Sequence, residues 1–324
     1  MQPLTHPLGG ILVVDFTRYL PGGYASRELL RLGARVVRVE APGGDPMRET
    51  AVAWDDALRH GTESVVCELP AEAEFARALC ARADVVLESF RPGVAERLGV
   101  GPRDVPESVV FCSITGFGDA GPHAARAGHD LNYLGWGGVL EDTAPAWPPI
   151  QIADLAAGAL GAAVQVLAAL VERGRTGIGA SIVVSMTHGS HDLVAHRLGG
   201  EPVPNMLTGG LACYRIYATA DGRHLTVGAL EPKFFRRLCE VLGSPELAER
   251  QYGDDQRSLA NELAAIFASR PLDDWLAVCD GEDVCVGPVW TRDEAAVEFG
   301  GWPGGRAPAL GEHTAIWRAE LGLA

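Results

Sequence analysis

The first half of the chain alternates short apolar runs with amphipathic segments. The opening run, ILVVDFT at 11–17, is apolar with a polar end, and helical patterns occur at 24–32 and 71–83. Continuous apolar runs are typical of parallel strands that are buried on both faces. Strands that alternate with helices predict an α/β fold with a doubly wound parallel sheet. The other runs predicted as strands are 34–42, 64–69, 84–90, 108–118 and 180–186.

The carboxyl ends of these predicted strands carry polar and glycine residues. In doubly wound sheets, ligands bind in the crevice beyond the carboxyl ends of the strands. We therefore expect a ligand site among four such ends: Thr17-Arg18-Tyr19, Glu40-Ala41-Pro42, Ser89-Phe90-Arg91 and Thr115-Gly116-Phe117.

The pattern changes after the first 200 residues. A long Ala-rich helix beginning near Asp154 leads, through a strand, to a stretch without clear periodicity. From Cys213, two alternating runs surround Asp221-Gly222, which is a strong hairpin signal. Helical patterns and one more strand follow, as in a small α+β domain. The predicted division is a large domain over 1–186 completed by 300–324, a linker over 187–205, and a small domain over 206–299.

Composition narrows the possible partners. The formal charge is −15 and Lys233 is the only lysine, which argues against nucleic acid and anionic membrane surfaces as partners. No uninterrupted apolar run reaches the ~20 residues that a membrane span needs, and the N-terminus does not resemble a signal peptide. The seven cysteines have no paired spacing. We therefore expect a cytoplasmic protein with reduced thiols.

Two proton-transfer groups stand out along the sequence. His129 follows Ala127-Gly128, and Asp154 opens the long helix. A histidine beside an aspartate can be purely structural, and an aspartate at a helix start can be a simple N-cap. A helix N-terminus also lowers the pKa of an adjacent carboxylate and offers N–H groups to an oxyanion, which would suit proton removal next to a carbonyl. No metal site is expected, because the spacing of His188, His191 and His196 matches no standard ligand pattern.

Several longer stretches resemble family III CoA-transferases. They include the opening GILVVDFTRYLPGGYASRELLRLGARVVRVEAPGGDPMR, and also VVLESFRPGVAERLG, SITGFGDAGP, RTGIGA and PALGEHT. AGHDLNYL, IADLAAG and VGALEPKFF are similar to the α-methylacyl-CoA racemase branch of that family. The resemblance implies a Rossmann-like large domain, a smaller domain and an interlocked homodimer.

The resemblance also implies roles for five residues. His129 and Asp154 would be the two catalytic bases, and Glu231 would orient His129. Arg38 and Arg91 would lie near the phosphates of CoA, which enters as part of the substrate. The implied reaction is inversion of the α-carbon of a 2-methylacyl or related thioester through an enolate, with no cofactor or metal.

The sequence departs from the family pattern where basic residues are usual. Thr62 and Glu63 stand where relatives read Lys-Arg, Cys67-Glu68-Leu69-Pro70 lacks a further lysine, and Val183 replaces a common aspartate. Three alternatives to a racemase acting on CoA thioesters therefore stay open. They are a CoA-transferase with Asp154 as covalent nucleophile, a repurposed enzyme acting on a carrier-protein or other non-CoA substrate, and a non-catalytic dimeric binding protein.

Overall fold

A computed structural model describes residues 5–200, 205–301 and 304–323. The chain divides into two compact units. The first comprises Met1–Leu198 with Pro303–Ala324, and the second comprises Gly199–Trp302.

The first unit is built on a six-stranded parallel sheet, as the alternation of strands and helices predicts. The strand order is β3-β2-β1-β4-β5-β6, so the order reverses between β1 and β4. Strands β1, β2, β4 and β5 are almost wholly buried, which explains their continuous apolar runs. The strands are β1 Leu12–Asp15, β2 Arg35–Glu40, β3 Glu63–Val66, β4 Val85–Glu88, β5 Val110–Thr115 and β6 Ser181–Ser185.

Helices cover both faces of this sheet and enclose two hydrophobic cores. One core lies under α1 and α7, and the other lies under α4 and the C-terminal helix α13, whose Trp317 is fully buried. The helices are α1 Tyr19–Arg31, α2 Met47–Thr50, α3 Val52–Arg59, α4 Ala73–Arg82, α5 Val94–Arg97, α6 Asp130–Gly137, α7 Ala153–Thr176, α8 Met186–Ala195 and α13 Thr314–Glu320.

Helix α1 begins earlier than its sequence pattern suggests. The helical pattern in the sequence covers 24–32, whereas Pro21-Gly22-Gly23 already lies inside the first turns of α1. Proline is tolerated there because the first N–H groups of a helix have no intrahelical partner. A Cβ on Gly22 would lie 1.9 Å from Thr17 Oγ1, so glycine lets the helix start directly against the end of β1.

The predicted linker over 187–205 begins with a helix instead. Helix α8 starts immediately after β6, and the Ser185 side chain caps it by accepting the His188 N–H. A Cβ on Gly189 would lie 2.8 Å from the Ala157 side chain, so this face of α8 packs closely on α7. The small residues Gly189 and Ser190, together with the exposed histidines of this stretch, obscure the apolar periodicity that would have predicted the helix.

Helix α7 is the long Ala-rich helix, and its first residues, Ala153–Leu160, have π-helical geometry. It buries alanines such as Ala159 and Ala162 against the sheet but exposes Val164 and Val171. The helix is thus buried on one face only. Among the described residues this is the one helix long and apolar enough to cross a membrane, yet a third of its most apolar window is buried within the unit.

The second unit is a small α+β arrangement. The hairpin around Asp221-Gly222 is confirmed, because β7 pairs antiparallel with β8, and β9 joins the other side of β8. Its elements are β7 Tyr214–Ala218, β8 His224–Gly228, α9 Pro232–Val241, α10 Gln256–Phe267, α11 Leu272–Cys279, β9 Val286–Pro288 and α12 Arg292–Phe299.

Candidate active site

A cavity in the first unit lies at the carboxyl ends of the central strands. Its volume is about 810 Å³. Residues following β1, β4 and β5 line it, as expected at the point where the strand order reverses. Three of the four predicted strand ends therefore contribute to the cavity, and the end of β2 does not. The lining includes Arg18, Tyr19, Met47, Trp54, Phe90, Arg91, Thr115, Gly116, Arg126, His129, Asp130, Asn132, Tyr133, Asp154 and Met186.

His129 is placed at this cavity by the start of α6. It is the residue before the helix, in extended backbone conformation, and its N–H donates to Asn132 Oδ1 at 3.0 Å. His129 is exposed and lines the cavity. The sequence-predicted histidine thus has access to a bound ligand.

Asp154 lines the same cavity from the second position of α7. Its carboxyl is half-buried, and burial, aided by the negative charge of Asp130, raises its pKa to about 7. This direction is opposite to the one expected from the sequence, because a helix N-terminus favours the charged carboxylate. The difference comes first from burial and then from the charge of Asp130, a residue that the sequence pattern did not single out.

Asp130 connects the two helices that carry the predicted bases. Its Oδ1 accepts the Asp154 N–H at 3.0 Å, and its carboxylate also bonds to the Ala153 N–H. The N–H groups at the start of α7 are therefore occupied by a protein carboxylate and are unavailable to an enolate oxygen. Burial raises the pKa of Asp130 in spite of these two hydrogen bonds, which act in the other direction.

Tyr133 forms a wall between His129 and the end of β5. It is buried, and its hydroxyl donates to the Gly128 carbonyl. A Cβ on Gly116 would lie 2.6 Å from the Tyr133 ring, and one on Gly128 would lie 2.7 Å from it. Two glycines are therefore needed to accommodate the ring. Burial and the charge of Asp154 raise the pKa of Tyr133, so the ring is neutral around pH 7.

The two arginines predicted near CoA phosphates occupy different environments. Arg91 is exposed and lines the cavity. Arg38 is fully buried outside the cavity lining, 2.8 Å from Asp55, 3.3 Å from Asp45 and 3.4 Å from Glu40. Its charge is already matched by carboxylates, so this position does not support a phosphate contact.

Two further arginines line the cavity and were missed. Arg18 follows β1, and Arg126 precedes His129 with its guanidinium over the Trp136 ring. Arg18 lies in one of the strand ends that were expected to meet a ligand, so its position carried a signal. Arg126 lies in a loop without periodicity, where no pattern singles it out.

Glu231 belongs to the second unit. It is exposed and precedes α9, where its carbonyl accepts the N–H groups of Phe234 and Phe235. Its contact with His129 stays a prediction. Within the described residues, no group of three or more His, Cys, Asp and Glu side chains is arranged to hold a metal ion.

Comparison with known proteins places these features in a family. The model of CoA-transferase family III matches residues 8–299. Human alpha-methylacyl-CoA racemase is 38% identical over 309 residues, covering 89% of this chain and 78% of that protein. A probable fatty acyl-CoA transferase of Mycobacterium tuberculosis is 32% identical, covering 88% of this chain and 84% of that protein.

Solved structures agree with the sequence comparison. A crystal structure of the same M. tuberculosis protein superposes with a TM-score of 0.83 at 28% identity, covering 97% of this chain and 100% of that chain. A CAIB/BAIF family protein from Brucella suis gives a TM-score of 0.82 at 28% identity, covering 97% and 99%. This chain belongs to CoA-transferase family III.

Proposed function

We propose that this protein is a racemase or epimerase that inverts the α-carbon of a 2-methylacyl or related acyl thioester. The observation that carries the proposal is the pairing of His129 with an aspartate whose pKa is about 7 in one cavity. A group that titrates near the working pH can both accept and return a proton. The racemase relatives from human and mouse, 38% and 35% identical, support the same reaction.

The reaction needs two proton-transfer groups of opposite roles. One base removes the α-proton, and the electron pair of the broken C–H bond moves into the thioester carbonyl to give an enolate. The conjugate acid of the other base then protonates the α-carbon from the opposite face. Asp154 and His129 exchange these roles when the direction of the reaction reverses. Before and after each turnover, one of the two groups carries the proton and the other does not.

The enolate oxygen requires hydrogen-bond donors. The start of α7 cannot supply the Asp154 N–H, because Asp130 accepts it. The first turn of α6 can supply a donor instead. The Asp130 N–H, directly after His129, has no backbone or side-chain acceptor in the described part of the chain. We assign this N–H as the backbone donor to the enolate oxygen.

CoA is the thioester carrier that the cavity supports best. Arg18, Arg91 and Arg126 contribute three exposed cationic side chains to the cavity lining, and in this proposal they meet the phosphates. The residues that replace the usual basic pair have structural tasks. Thr62 Oγ1 donates to the Arg59 carbonyl at 2.7 Å, and Glu63 accepts bonds from Arg35 and from Trp317 on the C-terminal helix.

We further propose a homodimer as the active form, in the cytoplasm. The motif that contains Glu231 lies in the second unit. In this proposal Glu231 approaches His129 across the assembled active site and orients the imidazole. No cofactor takes part in the proposed proton transfers, and CoA enters only as part of the substrate.

The test incubates a 2-methylacyl-CoA with the protein in D2O. Exchange of the α-proton is measured by mass, and the configuration of the α-carbon is measured by chiral analysis. We expect deuterium uptake with loss of stereochemical purity, and a fall of about 10³-fold or more in Asp154→Asn and in His129→Ala. Matched controls are Asp192→Asn and His188→Ala, which change exposed residues of α8 outside the cavity lining. A folded protein that exchanges no deuterium would contradict the proposal.

A CoA-transferase is the second candidate, because transferase relatives share this fold and Asp154 lies inside the cavity. In that reaction the Asp154 carboxylate would attack the thioester carbonyl and release CoA thiolate, giving an acyl anhydride. Hydroxylamine converts such an activated aspartyl group into a hydroxamate. Trapping of Asp154 in the presence of acyl-CoA, together with a fully active His129→Ala variant, would favour the transferase.

A further inference from the structure

Asp130 takes part in no step of the reaction through its side chain, yet its carboxylate lies at the centre of the site. It is the first residue of α6, directly after His129, and it accepts N–H groups from Ala153 and Asp154 at the start of α7. Both of its neighbours in this arrangement, His129 and Asp154, are the proposed bases. The side chain also lines the cavity and is half-buried.

We propose that Asp130 is a positioning residue for proton transfer: its carboxylate ties the Asp154 end of α7 to the His129 end of α6 and places a negative charge beside the reacting carboxyl. This inference rests on the proposed function for its role in the reaction. The hydrogen bonds of the Asp130 carboxylate and its negative charge belong to the folded protein and are present without substrate.

The tie fixes the two bases relative to each other. The hydrogen bond joins residues 24 positions apart and links the start of α6 directly to the start of α7. Proton transfer is sensitive to misplacement of about 1 Å. An acceptor at position 130 is therefore needed to keep Asp154 at a constant distance from the atom on which His129 acts.

The charge has a separate effect. The positive end of a helix favours an ionised aspartate, and such an aspartate is a weak base near pH 7. The carboxylate of Asp130 neutralises that end of α7 and repels the Asp154 carboxylate. Together with burial, this negative charge allows Asp154 to both hold and release a proton around neutral pH, which a reaction that runs in both directions requires.

Other charged or titratable groups near Asp154 do not replace Asp130. Tyr133 is neutral in this pH range, while His188 and His191 on α8 bond to Ser185 and to the Gly137 carbonyl. Cationic groups at the cavity favour ionisation of Asp154, so they oppose the effect of Asp130. The remaining charged or titratable groups of the cavity, of α1 and of α8 are Arg18, Tyr19, Tyr24, Arg27, Glu28, Arg31, Arg91, Arg126, His129 and Asp192.

The test compares Asp130→Asn, which keeps an acceptor oxygen but removes the charge, with the unchanged protein. The Asp154 carboxyl is titrated by NMR in protein carrying carbon-13 at the aspartate carboxyls, with its signal assigned from Asp154→Asn. We expect the titration of Asp154 to move to lower pH by about one unit in Asp130→Asn. The pH profile of kcat/KM for α-proton exchange should move in the same direction, whereas Asp192→Asn should move neither.

A second variant separates the tie from the charge. Asp130→Ala removes both, so kcat should fall at least about tenfold below that of Asp130→Asn at the optimum pH of each. An Asp154 titration that is unchanged in Asp130→Asn would overturn the charge effect, and equal kcat values for the two variants would overturn the tie. If the protein without any substitution showed no exchange activity, the proposed function would be overturned instead. The NMR titration would still decide the effect of Asp130 on Asp154.

Discussion

The carboxylates around Arg38 and those at the start of α7 differ in the groups that bond to them. Glu40, Asp45 and Asp55 surround a fully buried guanidinium, and Arg48 adds a second cation on Glu40. Burial alone would raise the pKa of Glu40, but the hydrogen bonds from Arg48 and the charge of Arg38 outweigh it and leave the pKa below its ordinary value. Glu40 therefore stays ionised around pH 7.

Asp130 and Asp154 have backbone N–H groups and each other as neighbours instead of arginines. Burial therefore dominates and the pKa values of both rise. The two regions are connected, because Asp45 accepts N–H groups from Tyr19 and Met47, which line the cavity. We conclude that the arginine-paired cluster supports the cavity wall, and that the carboxyls left without arginine partners are the ones suited to proton transfer.

The strongest challenge to this comparison is removal of Arg38. Arg38→Met should lower the free energy of unfolding by about 3–5 kcal/mol at pH 7, because three buried carboxylates lose their counterion. Urea unfolding measures this loss, and Arg31→Met is the control, since Arg31 forms an exposed pair with Glu28 and should change stability by under about 0.5 kcal/mol. Unchanged stability combined with a weaker affinity for CoA would restore Arg38 to its sequence-predicted role at the phosphates.

Glu88 is a buried carboxyl without an arginine hydrogen bond, and its replacement is expected to change stability by an intermediate amount. Burial raises its pKa to about 7, although Ser113 and the Phe90 N–H bond to it and act in the other direction. A pKa above the unfolded value means that the stabilising contribution of Glu88 is complete below about pH 4.5 and is lost as the pH rises through about 7. The ionised side chain is then a cost to the fold at pH 8.

Replacing Glu88 with glutamine should remove that cost. We expect Glu88→Gln to be about 2–3 kcal/mol more stable than the unchanged protein at pH 8, and close to it at pH 4.5. Urea unfolding at both pH values measures the difference, with Glu107→Gln at an exposed position as the control. Equal stability at pH 8 would mean that Glu88 is ionised without penalty, and the lack of an arginine partner would then not be what raises the pKa of a buried carboxyl.

The sequence predicts the sheet well because each buried strand is a local apolar run. It also places His129, Asp154 and Arg91 correctly at the cavity, since helix starts and strand ends can be recognised over a few residues. Asp130 and Arg38 show where this reasoning stops. The role of Asp130 depends on a bond to a residue 24 positions away, and Arg38 meets an aspartate 17 positions away on α3. Local periodicity contains no information on either contact.

The smallest expected effect concerns Tyr133, whose hydroxyl lies near Asp154 but carries no charge. Tyr133→Phe removes the bond to the Gly128 carbonyl and should cost about 1 kcal/mol in the free energy of unfolding. It should leave the titration of Asp154 where it is, because the phenol is neutral in the range where Asp154 titrates. The same NMR titration used for Asp130→Asn measures this, with urea unfolding alongside. Suppose instead that Tyr133→Phe moved the Asp154 titration as far as Asp130→Asn does. A neutral hydroxyl would then control the carboxyl as strongly as a neighbouring charge. The contrast with the arginine-paired cluster would no longer rest on charge.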